Sequence, residues 1–266
     1  MEQPQAIGRA LCFGGRLSLD TATLGGFDAR LEQLKKIEHL TIVGCGSSFN
    51  AATYGAKLMR HTGVFTNVSA MDGNSTTESD FKFHSDPTQS GLIALSQSGE
   101  TKDMIDVVQL AKRQNVNVMS VVNGVGSTLA NLTKCGIYVN AGPENAAPST
   151  KTFTGEVVCL ALMAMWFRQS KAKEKGLKLS SAELSLAESL QRLPITFGML
   201  MRSQNACKKA AQKLATKEHC FVLGKGKWAQ IHVSHFFETV IFLNSVHRVL
   251  NSQCRVWRTN CNGRCA

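Results

Sequence analysis

The sequence predicts an α/β protein, a parallel β-sheet held between two layers of helices and joined by right-handed crossovers. Two observations carry that prediction. Short apolar runs such as Leu40-Thr41-Ile42-Val43 and Leu92-Ile93-Ala94-Leu95 read as strands buried on both faces. After each run comes a loop of small residues and then apolar residues at helical spacing, and strand and helix alternate in this way at least four times.

Taken in order, residues 1–22 are irregular and read as a lead-in outside the core. Phe27, Leu31 and Leu34 recur at i, i+4 and i+7, which predicts one amphipathic helix over 26–36. Strand 40–43 leads into a helix over 49–61 carrying Ala52, Ala56 and Met59. Residues 64–70 suit another strand, followed by a polar connector. Strand 92–95 precedes a helix over 103–114, with Met104, Val107, Val108, Leu110 and Ala111 near one face. Residues 118–122 are rich in β-branched side chains and end at the turn Asn123-Gly124. A short helix over 127–132, a strand over 135–139 and an apolar helix over 152–167 complete this half. Residues 168–180 read as a Lys-rich linker, and 181–193 as a helix that Pro194 breaks or restarts. A helix over 206–216 then leads to a strand at 220–223 and the glycine loop Gly224-Lys225-Gly226-Lys227, which resembles the opening of a second α/β unit.

Two strand–helix junctions carry chemistry. Ser96-Gln97-Ser98-Gly99-Glu100-Thr101 sets three hydroxyls, an amide and a glycine before a helix start. A helix start offers unpaired N–H groups and the positive end of the dipole, and hydroxyls add further donors. Gly99 lets the backbone approach a ligand closely. With no Walker loop or GxGxxG beside it, this suits a phosphate that bears no nucleotide; a Ser-rich helix cap with a turn is the plainer use of the same residues. Gly44-Cys45-Gly46-Ser47-Ser48 is built on the same plan, and two such loops in one parallel sheet can converge on one ligand. A third loop, 140–151, offers Ser149 or Thr150 as a cap for the helix that follows. Lys151 opposes the helix dipole there and invites a functional role, while Glu144 suits either a structural bond or a substrate contact.

Composition narrows the classes. The chain has 266 residues, 43% hydrophobic and 18% charged, as in an ordinary globular protein. Its longest apolar run, 157–167, is well short of the ~20 residues that span a bilayer. Met1-Glu2-Gln3-Pro4 lacks the features of a signal or transit peptide, so a cytoplasmic location is expected. The net charge of +11 is uneven: residues 1–167 carry 13 basic and 14 acidic groups, and 168–266 carry 17 and 5. The basic residues are scattered without an aromatic or groove-reading pattern, which argues for a solvated basic face and against nucleic acid. Of nine cysteines, the six up to Cys220 read as reduced core residues. Cys254, Cys261 and Cys265 lack paired spacing, so no metal site is expected. No cofactor motif is present.

Four motifs occur in order over roughly residues 1–225: Gly44-Cys-Gly-Ser-Ser-Phe-Asn50, Leu95-Ser-Gln-Ser-Gly-Glu-Thr101, Asn140-Ala-Gly-Pro-Glu144 and Pro148-Ser-Thr-Lys-Thr-Phe-Thr154. On these the chain resembles the isomerase part of the glutamine–fructose-6-phosphate aminotransferase family (glucosamine-6-phosphate synthases), which is built from two sugar isomerase (SIS) domains. The resemblance implies a hexose-phosphate site in which Ser48, Ser96, Gln97, Ser98 and Thr101 hold the phosphate. It places Ser47, Ala147 and Ser149 along the sugar, with Lys151 and Glu144 nearby and Gly46 and Gly99 within the loops. It also implies a SIS domain over 23–170 after the lead-in 1–22, then linker helices and a partial second SIS-like unit over 171–266, and a homodimer formed through SIS domains.

The chain departs from the family in three places. Asn145-Ala146-Ala147-Pro148 stands where the family has an Ile-Gly-Val-Ala type stretch, and the proline stiffens that loop. The 266 residues hold no counterpart of the family's glutaminase domain, so this stretch alone is not expected to use glutamine. After about residue 227 the family's isomerisation motifs are lost, and His232, His235, Glu238 and His247 do not match them, so no catalytic residue is assigned. The expected function is binding of fructose 6-phosphate or glucosamine 6-phosphate as the isomerase-type domain of such an aminotransferase. A non-catalytic sugar-phosphate sensor or regulatory SIS protein is the alternative.

Overall fold

Five parallel strands form one sheet in the order β2-β1-β3-β4-β5: β1 (His39–Gly44), β2 (Asn67–Asp72), β3 (Ser90–Ser96), β4 (Asn117–Val122) and β5 (Gly136–Tyr138). The structure, a computed structural model, describes residues 2–18, 21–75, 77, 79, 86–144, 149–174 and 180–217. These fall into two units, one up to Met201 and one from Arg202.

Strand β3 sits at the centre of the sheet and all seven of its residues are buried. Its alternate residues serve two cores. Leu92 and Ala94 join Val43, Val118 and Val122 against Met104, Val107, Val108, Leu110 and Ala111 of α5 (Lys102–Arg113) and Leu129 of α6 (Thr128–Thr133). Ile42, Ile93, Leu95, Met119 and Val121 alternate with that set and are likewise buried. The other layer holds α4 (Ser47–His61), packed on β1 and β2, and the long α7 (Lys151–Glu174), packed on α4 and β4. Burial of each such aliphatic side chain is worth about 1.5–3 kcal/mol, so the two cores drive the fold.

Several elements differ from the sequence-based expectation. Residues 3–10 are a helix, α1 (Gln3–Ala10), where an irregular lead-in was expected. Pro4 fits its first turn, and Ala6, Ile7 and Ala10 are fully buried, packing α1 on α7 and on α8 (Ser181–Leu200). The helix expected over 26–36 is two short ones, α2 (Gly25–Asp28) and α3 (Leu31–Leu34), because tertiary contacts override periodicity there. Phe27 packs edge-on to Trp166 at 5.2 Å, and Asp28 Oδ1 accepts the Trp166 indole N–H at 2.7 Å. Strand β2 begins three residues later than expected.

The expected linker at 168–180 begins instead as the last turns of α7. Lys171 is buried along its stem, and its ammonium donates to the carbonyls of Ile37 and of Val64 and stands 4.8 Å from the Phe65 ring centre. Helix α8 runs through Pro194, whose missing N–H removes one bond while its fixed φ, near the helical value, lets the helix continue. Cys12 and Cys207 are exposed, whereas Cys135 and Cys159 are buried, so the core reading holds for the second pair and fails for the first. In the second unit the described element is α9 (Gln204–Leu214). The strand expected at 220–223 and its glycine loop lie outside the described residues. Among the described residues no helix is long and apolar enough to cross a membrane.

Candidate functional site: two hydroxyl loops at the sheet's switch point

β1 and β3 are neighbours, with Val43 opposite Ala94, yet the chain leaves β1 toward β2 and leaves β3 toward β4 on the other side. Their carboxyl ends therefore flank the point where strand order reverses, the usual position of a ligand crevice in an open parallel sheet. Both hydroxyl loops start there.

The loop after β3 is organised by its own hydroxyls. The buried Ser96 hydroxyl accepts the Gly99 N–H at 3.0 Å and lies 3.3 Å from the Thr101 hydroxyl. Ser98 is exposed, and its Oγ accepts the Glu100 N–H at 3.1 Å. The Gln97 carbonyl accepts the N–H groups of Asn123 and Gly124 at 3.3 and 3.1 Å, which ties this loop to the end of β4. Gly99 has a φ of +71°, and a Cβ there would lie 2.1 Å from Ser127 Oγ, so glycine is required on both counts. Glu100 turns away: its carboxylate accepts the Thr128 N–H at 2.8 Å and hydroxyl at 2.7 Å, bonds that hold it below the usual carboxylate range. Its negative charge is thereby drawn toward α6. Thr101, the N-cap of α5, makes no side-chain cap bond.

The loop after β1 turns on Gly46, whose φ of +58° and ψ of −125° suit glycine and whose missing Cβ faces open space. It too leaves α4 without a side-chain cap. Ser47 is half-buried at the first position of α4, and Ser48 is buried. The Ser48 hydroxyl donates to Glu156 Oε1 on α7 at 2.8 Å. Glu156 is itself fully buried and its Oε2 has no partner among the described residues. Burial pushes this carboxyl up to about 8 against the pull of the Ser48 bond, so it is a neutral acid at pH 7. Burial, assisted by Asp72 and Asp103, likewise pushes the neighbouring Cys45 thiol up to about 11, which keeps it protonated and unreactive.

The third loop is bonded mostly to itself and to α1. Arg9 donates to the carbonyls of Asn140 and Ala141 at 2.9 and 2.8 Å, and the Asn123 side chain clamps the Ala141 N–H and the Gly142 carbonyl. Glu144 accepts from the Thr152 N–H at 3.0 Å and the Thr150 hydroxyl at 2.9 Å. Burial alone would raise the Glu144 carboxyl, and these bonds outweigh it and hold it below the usual range. The Ser149 hydroxyl accepts the Phe153 N–H at 3.1 Å, a cap for α7. Lys151 pairs with Glu2 and donates to the Pro143 carbonyl at 2.8 Å, so its position against the dipole has a structural partner. Ala147 lies outside the described residues.

The structure thus brings Gly46, Ser47 and Ser48 to the same sheet edge as Ser96, Gln97, Ser98, Gly99 and Thr101. Glu144, Ser149 and Lys151 gather separately at the start of α7, and the Ser48–Glu156 bond joins that helix to the first loop. Sequence reasoning missed Arg9, Asn123 and Glu156. A lone Glu inside the apolar helix that follows Lys151 is a signal for the last of these, since a buried carboxyl needs a partner. A cavity of about 200 Å³ near Ser120, Lys134 and Tyr138 includes none of the loop residues. Among the described residues no cluster of three or more His, Cys, Asp or Glu could hold a metal ion.

An open parallel sheet with two hydroxyl-lined helix starts at its switch point is an α/β arrangement suited to holding an anion at its strand ends. The chain belongs to the SIS domain family, whose model matches residues 33–165. It is 32% identical over 228 residues to the isomerizing glutamine–fructose-6-phosphate aminotransferase of Chlorobaculum tepidum, covering 85% of this chain and 35% of that protein. The Thermotoga maritima enzyme of the same name is 30% identical over 229 residues, covering 85% of this chain and 36% of that protein. The chain therefore spans about a third of the length of these curated relatives. In fold it matches the C-terminal domain of glucosamine-fructose-6-phosphate aminotransferase from Francisella tularensis, with a TM-score of 0.74, 24% identity, and coverage of 88% of this chain and 62% of that one.

Proposed function

We propose that the chain binds a hexose phosphate, of the fructose 6-phosphate or glucosamine 6-phosphate type, as the isomerase-type domain of a glucosamine-6-phosphate synthase-like aminotransferase. The observation that carries this reading is the pairing of two helix starts without side-chain caps, α4 and α5, at adjacent strand ends with five hydroxyls between them. In this reading the backbone N–H groups and hydroxyls of Ser48, Ser96, Ser98 and Thr101, with the Gln97 amide, take the phosphate oxygens, and Ser47, Ala147 and Ser149 lie along the sugar. The withdrawal of Glu100 toward α6 supports it, because a carboxylate facing a phosphate would repel it. The domain's contribution to chemistry is then anchoring and orientation of the sugar.

The surrounding assignments are proposals of the same rank. They are a SIS domain over 23–170 with part of a second SIS-like unit over 171–266, a homodimer formed through SIS domains, and a cytoplasmic place in amino-sugar synthesis. The loss of the family's isomerisation motifs after about residue 227 favours one further reading, a sugar-phosphate sensor without turnover. Conversion of fructose 6-phosphate with ammonium by the purified chain would eliminate the sensor.

Calorimetric titration of both hexose phosphates tests the binding. The wild type should bind, and Ser98→Ala with Thr101→Ala should weaken binding by about a hundredfold, as expected for two lost bonds to a charged ligand. Equal affinity in the double variant would overturn the assignment of the loop.

A further inference from the structure

Helix α7 carries a carboxyl group into the interior beside the first hydroxyl loop. Glu156 is fully buried, its Oε1 takes the Ser48 hydroxyl at 2.8 Å, and its Oε2 has no partner among the described residues. Being neutral at pH 7, the carboxyl carries a proton for which the described residues offer no acceptor beyond Ser48, while the Ser48 hydrogen is directed to Glu156. An unpaired buried donor is destabilising, and reorienting the two O–H groups toward an acceptor on the ligand removes that penalty.

We infer that Glu156 is a positioning residue for the phosphate site: as the neutral acid it donates its O–H to Ser48 Oγ, which releases the Ser48 hydrogen to a phosphate oxygen of the ligand. This rests on the hexose-phosphate reading above. No covalent bond changes and no proton leaves either residue; two hydrogen bonds reorient, and the ligand supplies the acceptor that completes the chain. Ser48 sits in the first turn of α4, beside the N–H groups the phosphate would meet, so the carboxyl acts on the ligand through that one hydroxyl. Once ionised, Glu156 can only accept. It then holds the Ser48 hydrogen and adds a buried negative charge behind the phosphate, and both effects oppose binding.

Burial raises Glu156 and the Ser48 hydroxyl lowers it; the same carboxyl in turn helps to raise Cys159 one turn along α7. Other titratable groups on the surrounding elements are Tyr54, Lys57, Arg60 and His61 on α4, Arg9 on α1, and Cys12 and Arg16 after it. Burial raises Tyr54 and pushes Cys159 up to about 12, so neither titrates in the window that follows.

The test is the affinity of the 266-residue chain for fructose 6-phosphate from pH 6.5 to pH 9, in the wild type, Glu156→Gln and Ser48→Ala. Wild-type affinity should fall about tenfold between pH 7 and pH 9, following the ionisation of one acid. Glu156→Gln keeps a permanent N–H donor toward Ser48 and should bind as at pH 7 across the range. Ser48→Ala should bind weakly at every pH, because the link to the ligand is gone. A wild type and Glu156→Gln that share one pH profile would overturn the inference while leaving the hexose-phosphate reading intact. A wild type that does not bind at any pH would overturn both.

Discussion

The two hydroxyl loops look alike in sequence and differ in what their hydroxyls do. After β3, Ser96, Ser98 and Thr101 face one another and their own backbone, so the loop is shaped from within. After β1, Gly46 opens the turn with nothing packed behind it, and Ser48 reaches inward to Glu156 on another helix. The hydroxyls of one loop bond within that loop, whereas a hydroxyl of the other is held by α7. The difference teaches that a shared strand–loop–helix plan fixes where backbone donors point, while the partner of each hydroxyl is set by tertiary packing.

Breaking the loop after β3 should have the largest effect on stability. Gly99→Ala forces a Cβ into Ser127 Oγ at a left-handed φ and should cost about 3 kcal/mol. Gly46→Ala meets the same kind of backbone strain without a clash and should cost about 1–2 kcal/mol. Urea unfolding of the two variants would show the contrast, and equal losses would mean that Ser127 does not confine the loop.

The dependence of the other loop on Glu156 shows in pH. The carboxyl titrates near 4.5 when unfolded and near 8 when folded, so between those values the native state holds a proton that the unfolded chain has lost. Its contribution is fully present below pH 4.5 and falls as pH rises through 8, by on the order of 3 kcal/mol from pH 5 to pH 7. Glu156→Gln should flatten that part of the stability curve in denaturant titrations. Parallel curves for the two proteins would place the proton elsewhere.

Much of this was legible before the structure. Predominantly apolar runs at 40–43, 92–95 and 118–122 are what a sheet covered on both faces requires, and they became β1, β3 and β4. The hydroxyl loops were visible as residue types that a helix start uses. What escaped was tertiary in origin. Helix α1 reads as irregular because its apolar content is modest and its helicity depends on burial of Ile7 and Ala10 against α7 and α8. The break between α2 and α3 is set by Asp28 bonding Trp166, 138 residues away. Lys171 reads as solvated until two carbonyls from distant loops converge on it. Arg9 and Asn123 hold the third loop through backbone atoms, which leave no mark on sequence pattern.

The central claim is that both loops meet one phosphate. Amide chemical shifts of the 15N-labelled chain, titrated with glucosamine 6-phosphate and separately with glucosamine, test it most directly. The phosphate ester should move the amides of Ser47, Ser48 and Phe49 together with those of Ser98, Gly99 and Thr101, at a single saturating concentration, while glucosamine leaves them in place. Shifts confined to one loop, or equal shifts with the unphosphorylated sugar, would contradict the account.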